Sequence, residues 1–579
     1  MTERKIAYVI TLIFLVLGGR LFQLQLIQGN ELRRLSEENR LQRIKIPSPR
    51  GVIYDRNGIP LVENMPYYCV ILLPEAADTV DIESISELLG VSKEDVQKKI
   101  EDRKPFEPIR LKERLSMKEV AFIEARLSDY PGIQIEVDLA RHYLYGDVGA
   151  HVIGYLGKLN PEQAKSPGLK DIPAEAFIGQ WGIEKLFDDI LRGVPGEKII
   201  EVDALGRELR VVGEVPTVKG KDLHISIDIQ LQKEAETAFG NRAGALVALK
   251  PDTGEILALV SRPSFDPNLF AKGISPEDWL RLRDDGRFPM LNRALQSQYP
   301  PGSVFKIVTA ISALEKEAIN LETKITCSGG LTHGKWSFRC WKKAGHGTLS
   351  FHDALVQSCD VYFYTAGRRT GINSIAEYAR ELGVGSPCGL ELVKGEKPGF
   401  MPDENWKIKA KGQPWYQGET YITSIGQGYV LMTPLQVARL ISIVANGGYM
   451  YDVTLILPEE TPKPIKRLNI SQKTFEILRN ALWGVVNEPG GTAHSARSKI
   501  VEIAGKTGTA QVRSSKAGSA SGRFGDHAWF TAYAPYENPQ VAIAVLVEHG
   551  GHGASAAAPI AKAAIEAYIS RHLKAGEDE

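Results

Sequence analysis

The sequence predicts an α+β protein in two parts behind one membrane anchor. Three observations carry that reading. Strand patterns open and close the stretch 219–579 with helical patterns between them. The stretch 29–218 mixes short charged helices with strand-like segments, and an apolar run fills most of residues 1–28. Strands at both ends with helices between imply a central antiparallel sheet with helices packed on it.

The anchor comes first. Arg4 and Lys5 precede the apolar run Ile6 to Gly19, and Leu21 to Ile27 continues it after Arg20. Together these runs approach the ~20 residues that cross a bilayer core. Arg20 lies toward the far end, where its long side chain reaches the interface. Leu17-Gly18-Gly19 followed by Arg20 is a poor cleavage site, so an uncleaved signal anchor is expected over a cleaved signal peptide or a buried helix. The early basic residues put the N-terminus in the cytoplasm and the rest of the chain outside the plasma membrane.

Residues Glu31 to Arg43 are charged and helix-prone, and read as a stalk ended by Pro47 and Pro49. A strand-like segment from Pro49 closes at Asn57-Gly58, a turn signal. Residues 80–130 read as short charged helices. Gly179 to Glu184 lead into another helix that stops near Gly193 and Pro195.

The texture changes near residue 220. Leu223, Ile225 and Ile227 alternate with polar residues as in a half-buried strand, and a helix with Leu231, Ala235 and Ala238 on one side follows. Ala245–Leu249, the turn Pro251-Asp252-Thr253-Gly254 and Ile256–Val260 read as a β-hairpin. Ala528–Ala534 and Val541–Val547 are strands, and a last helix is expected from about Ser555 to Leu573.

Composition narrows the function. The 579 residues suffice for two or more domains, with 43% hydrophobic and 24% charged residues as in globular chains. Lys plus Arg (70) equals Asp plus Glu (70), without the basic excess of a nucleic-acid binder. Five cysteines in this length make no disulfide framework.

The chemistry sits in three short motifs. Pro300-Pro301-Gly302-Ser303 opens a helical pattern with Ile307, Ala310, Ile311 and Leu314 on one face. Lys306, three residues on, shares the face of Ser303. A serine becomes a nucleophile when a base takes its proton, and a neutral lysine can be that base. Burial or a second cation would have to lower a lysine pKa of ~10.4 for this. Ser358-Cys359-Asp360 follows in a helix–loop context. Lys506-Thr507-Gly508-Thr509 comes after the apolar Ile503-Ala504-Gly505, as on an edge strand. This triple, in this order, is the signature of penicillin-binding proteins and class A β-lactamases.

Over nearly its whole length the chain resembles the class B penicillin-binding proteins. Arg50-Gly51, Asp55-Arg56, Gly58, Gly179–Glu184 and Leu191-Arg192-Gly193 look like blocks of the family's pedestal, or dimerisation-type, domain. Pro434-Leu435-Gln436, Asn446-Gly447-Gly448 and Lys506–Gln511 look like blocks of its transpeptidase domain. Within the class it is most similar to the cell-elongation subgroup, penicillin-binding protein 2. Asp360 stands where most relatives have Asn, and the elongation subgroup commonly has Asp.

The resemblance implies a penicillin-binding, serine β-lactamase-like transpeptidase fold at 219–579, a pedestal at 29–218 and an anchor at 1–28. It implies a peptidoglycan D,D-transpeptidase acting through a Ser303 acyl-enzyme. Lys306 would be the base, Ser358 the relay to the leaving amine, and Lys506 the holder of the substrate carboxylate with Thr507 or Thr509. The backbone N–H groups of Ser303 and Thr509 resemble the family's oxyanion hole. Implied partners are stem peptides on lipid-linked precursor strands, β-lactams, the membrane and a RodA-like SEDS glycosyltransferase. Alternatives are a division-type transpeptidase, a scaffold that activates the polymerase, and a β-lactamase or β-lactam sensor. The long pedestal and single anchor argue against a β-lactamase or a β-lactam sensor.

Cys327, Cys340, His346 and Cys359 are spaced by 13, 6 and 13 residues between the first and second motifs. Three thiolates and an imidazole make a closed structural zinc set, and the elongation subgroup has a zinc site at a matching position. His333 and His352 are competing ligands. The alternative is a Cys327–Cys340 disulfide. Cys69 and Cys388 read as lone thiols. The chemistry requires no organic cofactor.

Overall fold

A computed structural model describes residues 2–28, 41–103, 108–166, 168–169, 172, 176–202, 208–271, 273–390, 392, 395–511 and 525–575. Helix α1 (Thr2–Phe22) runs into a π-helical turn, Gln23–Ile27. Within it the window Ile10–Ile27 is long and apolar enough to cross a membrane, and none of it is buried in the protein.

The N-terminal region is richer in strands than its charge suggests. Its two larger sheets are built, in chain order, from β1 (Leu41–Ile46), β2 (Ile53–Tyr54), β3 (Pro60–Leu72), β4 (Ile109–Leu115), β5 (Ile133–Tyr143), β6 (Gly196–Val202), β7 (Glu208–Val215) and β8 (Leu223–His224), and Leu156–Lys158 pairs with Phe177–Gly179 in a further ribbon. Strands β1-β6-β7 form one sheet, and β8-β2-β3-β4 form another with β5 paired to β3. The expected helical stalk is corrected at its end: up to Arg40 it lies outside the described residues, and Leu41–Arg43 belong to β1. Pairing with β6 overrides their helical propensity. The reading of 80–130 as helices holds for Ile82–Leu89, Lys93–Glu101 and Met117–Glu124. It fails at β4, where Ile109, Leu111 and Leu115 turn inward at alternate spacing while the charged residues between them stay in contact with water.

The C-terminal region is a three-layer sandwich. After α2 (Ile229–Phe239), β9 (Gly244–Leu249) and β10 (Ile256–Arg262) form the expected hairpin. Strands β11 (Ala504–Ala510), β12 (His527–Ala534) and β13 (Val541–Val547) complete a sheet of order β10-β9-β13-β12-β11, antiparallel throughout. Its two faces join different cores. Ala542, Ala544 and Leu546 of β13 face the larger core, and Val541, Ile543, Val545 and Val547 face α2 and α3 (Ala558–Ala575). Burial on both faces is why these strands read as continuous apolar runs.

The sheet positions the site through its edge. Strand β11, with the Lys506 motif, is the terminal strand of that sheet among the described residues. The Trp529 indole of β12 is fully buried and donates to the Pro300 carbonyl at 3.0 Å. It thereby ties the sheet to the turn that delivers Ser303.

Candidate active site

Ser303 lies in a 3-10 turn, Gly302–Phe305, which continues as helix α4 (Lys306–Glu315). In 3-10 geometry residues three apart eclipse, so Lys306 stacks in register with Ser303. Gly302 has φ +55°, and a Cβ there would lie 2.5 Å from the Thr509 carbonyl oxygen. Only glycine allows the first and third motifs to approach this closely. Helix α4 was expected to bury one face. It is buried all round from Lys306 to Ala313, because Thr309, Ser312 and Ala313 fill the remaining faces.

Ser358 sits between the helix Phe351–Val356 and α5 (Asp360–Thr370), with φ +53°. A non-glycine residue in this region costs about 1–3 kcal/mol, a strain typical of sites held by their surroundings. The Lys306 ammonium is fully buried. It donates to the Ser358 carbonyl at 2.8 Å, to Ser358 Oγ at 3.2 Å and to Asp360 Oδ1 at 2.7 Å. These use all three of its donors.

Lys506 was expected to meet a substrate carboxylate. Its ammonium is fully buried and donates to Ser358 Oγ at 2.8 Å and to the Thr507 carbonyl at 3.1 Å. Burial, and then the Lys306 cation, push Lys506 well below the usual lysine value, against the pull of Asp360. The Ser358 oxygen thus accepts from both lysines, which leaves its O–H free to donate. The Thr507 hydroxyl lies 2.9 Å from that of Thr492. A Cβ at Gly508 would stand 3.0 Å from the Pro301 carbonyl oxygen.

The Asp360 substitution has a physical reason. Its Oδ1 receives Lys306, and its Oδ2 receives the Trp341 backbone N–H at 2.9 Å. An asparagine would turn its NH2 toward one of these two donors. Trp341 is a site residue that sequence reading missed. A tryptophan beside a cysteine carries no local signal of a contact 19 residues away.

The Cys/His set assembles above this turn. Strands Ile325–Cys327 and Gly347–Leu349 pair, bringing Cys327 beside His346. The hairpin Gly330–His333 with Trp336–Arg339 delivers Cys340, and Cys359 opens α5. The ligand atoms of Cys327, Cys340, His346 and Cys359 all lie within 4.8 Å of one another. His346 Nδ1 is 3.6 Å from the Cys327 sulfur and 3.5 Å from that of Cys340. Three soft sulfurs and an imidazole converging this way can hold a metal ion. All five cysteines are unbonded in this structure. Of the competing ligands, His352 pairs with Glu488 at 2.9 Å and His333 stands edge-on to Tyr421.

Known proteins share this organisation. Residues 244–566 match the penicillin binding protein transpeptidase domain, and residues 45–225 match the penicillin-binding protein dimerisation domain. The peptidoglycan D,D-transpeptidase MrdA of Acinetobacter baumannii is 37% identical over 565 residues, covering 94% of this chain and 84% of that protein. PBP2 of Helicobacter pylori, solved in complex with MreC, superposes with a TM-score of 0.81 at 33% identity, covering 91% of this chain and 99% of that one. A structure of a peptidoglycan synthase complex that coordinates polymerization and crosslinking gives a TM-score of 0.74 at 31% identity, with 98% of each chain covered. The three motifs, their geometry and these likenesses place the chain in the class B penicillin-binding proteins, among the PBP2-type D,D-transpeptidases.

Proposed function

We propose that the chain cross-links peptidoglycan stem peptides during cell elongation, with Ser303 as the nucleophile. The observation that carries this is the meeting of the three motifs: Lys306 and Lys506 both donate to Ser358 Oγ, beside the turn that bears Ser303.

In the first half-reaction Ser303 Oγ bonds to the carbonyl carbon between the two D-Ala residues, and Lys306 takes its proton. Lys306 acts in its neutral form, having given up one of the three protons through which it donates. The Ser358 O–H passes a proton to the leaving D-Ala amine as the C–N bond breaks, and Ser358 is reprotonated from the lysine pair. The N–H groups of Ser303 and Thr509 stabilise the oxyanion, a contribution worth ~100- to 1,000-fold in rate per donor. Thr507 and Thr509 hold the substrate carboxylate along the strand that includes Gly508, with the Lys506 charge behind them. An amine of a second stem peptide then attacks the acyl carbon and releases Ser303. A β-lactam acylates Ser303 by the same first step, its ring C–N bond breaking.

The other parts follow the same reading. Residues 1–28 form a single-pass anchor in the inner membrane with the N-terminus cytoplasmic, 29–218 the pedestal and 219–579 the periplasmic catalytic domain. Lipid-linked strands from a RodA-like polymerase supply the substrate. Cys327, Cys340, His346 and Cys359 hold a structural zinc, which when bound fixes the loop bearing Ser358. The Ser303→Ala variant tests the central step: labelling by a fluorescent penicillin is expected to vanish while the melting temperature stays at the wild-type value. Undiminished covalent labelling sinks the assignment.

A further inference from the structure

Trp341 holds its indole ring largely in solvent, 58% exposed, so burial of apolar surface does not explain its place. Its polar contacts are more specific. The indole N–H donates to the carbonyls of Gln357 at 3.2 Å and Ser358 at 3.1 Å. Its backbone N–H donates to Asp360 Oδ2 at 2.9 Å. The ring stands edge-on to His346, with centroids 5.3 Å apart. Two acceptors of the Lys306 ammonium are the Ser358 carbonyl and the Asp360 carboxylate. Trp341 therefore shares both with Lys306, from the opposite side of the turn.

We propose that Trp341 is a positioning residue for acylation, acting through Lys306. The turn at residues 357–360 is strained, with Ser358 at φ +53°, and it relaxes unless something over-determines it. The indole N–H bridges two successive carbonyls of that turn and pins it from outside. With the carbonyls pinned, the Lys306 ammonium is fixed relative to Ser303. Without the indole N–H, the Ser358 carbonyl is free to swing toward its remaining donor, and Lys306 moves with it. This inference rests on Lys306 acting as the base in the proposed function.

The test uses the full-length protein and a fluorescent penicillin. Stopped-flow labelling separates non-covalent affinity from the rate of acylation. Trp341→Phe keeps a ring against His346 but has no side-chain donor. Trp341→Gln has no aromatic ring but carries an N–H of similar reach. Both keep the backbone donor to Asp360. The Phe variant is expected to acylate up to about 100-fold more slowly, as for a small misplacement of a reacting group, with affinity and melting temperature unchanged. The Gln variant is expected to recover a measurable part of that rate. Wild-type acylation in the Phe variant overturns the proposal. Equal slowing in both variants, or slowing that tracks a fall in melting temperature, overturns it as well, since the ring would then only pack. The adduct is mapped in each case: labelling away from Ser303 refutes the catalytic reading itself, whatever the role of Trp341.

Discussion

Two buried charge networks, one in the pedestal and one in the active site, carry similar charges in different residues. In the pedestal Arg50 meets Glu184 at 2.9 Å and Asp188 at 3.0 Å, Arg141 meets Glu184 at 2.6 Å, and Arg192 meets Asp188 at 2.7 Å. In the active site Lys306 pairs with one carboxylate, Asp360, and Lys306 and Lys506 both donate to one hydroxyl, Ser358. Cations outnumber carboxylates by one in each place. Burial alone would raise the Glu184 pKa, but Arg141 and Arg50 outweigh it and hold the carboxylate below its usual value. Guanidinium groups keep their protons at any working pH and fork onto carboxylates. A buried lysine gives up a proton readily. The pedestal network is thus fixed architecture, whereas on the proposed mechanism the active-site network handles a proton.

The comparison breaks most directly at Glu184. Glu184→Gln leaves Arg141 and Arg50 buried with one carboxylate fewer. Removing one partner of a buried pair costs about 3–5 kcal/mol. A large fall in melting temperature is expected, with the acylation rate of the remaining folded protein unchanged. A stable Gln variant with slow acylation would reverse the roles assigned to the two networks.

The active site should respond in the opposite sense. Lys506→Ala removes one of two like cations from a dry site, so the melting temperature is expected to hold or rise. Acylation should slow, most for donors with a carboxylate, because the positive charge behind the Thr507 and Thr509 hydroxyls is gone. The pH profile sharpens this. Burial, and then the Lys306 cation, hold Lys506 well below the usual lysine value. Lys506→Ala removes that low-titrating group, so the pH profile of acylation is expected to move and the rate at neutral pH to fall. A profile that does not move, or equal losses for donors with and without a carboxylate, refutes this division of labour.

What the sequence made legible was the set of groups, and what it hid was their orientation. Ser303, Lys306, Ser358, Asp360 and Lys506 are readable because their types and order occur together in short motifs. The strands Val541–Val547 and Ala528–Ala534 are readable because burial on both faces leaves a continuous apolar run. Strand Ile109–Leu115 was hidden by the charges between its inward residues, and Leu41–Ile46 by a helical composition that sheet pairing overrides. The inward turn of Lys506 and the grip of Trp341 on the middle motif depend on contacts over 148 and 17 residues, which no local pattern encodes.

The Cys/His cluster joins the two kinds of network, because it would be architecture set directly behind chemistry. Cys359 lies between Ser358 and Asp360, and Cys340 immediately precedes Trp341, whose backbone N–H holds Asp360. Whatever fixes these two thiolates also fixes Ser358 and Asp360, the two residues that carry the acceptors of Lys306. The proposed zinc predicts that His346→Ala weakens metal binding by ~10- to 100-fold, the range for disturbing a metal site's orienting groups or more. A structural zinc contributes folding free energy directly, so a strong chelator should lower the melting temperature of the wild type and slow acylation. The effect on rate should be smaller than that of Lys506→Ala, since no group that handles the proton is removed. A Cys327–Cys340 disulfide predicts the reverse pattern: His346→Ala is silent, and reductant, not chelator, destabilises. Elemental analysis of the purified protein decides between them. About one zinc per chain, lost in the His346 variant, is the expected result for a closed four-ligand site. Protein without metal, with a cross-linked Cys327–Cys340 peptide in its digest, eliminates the zinc.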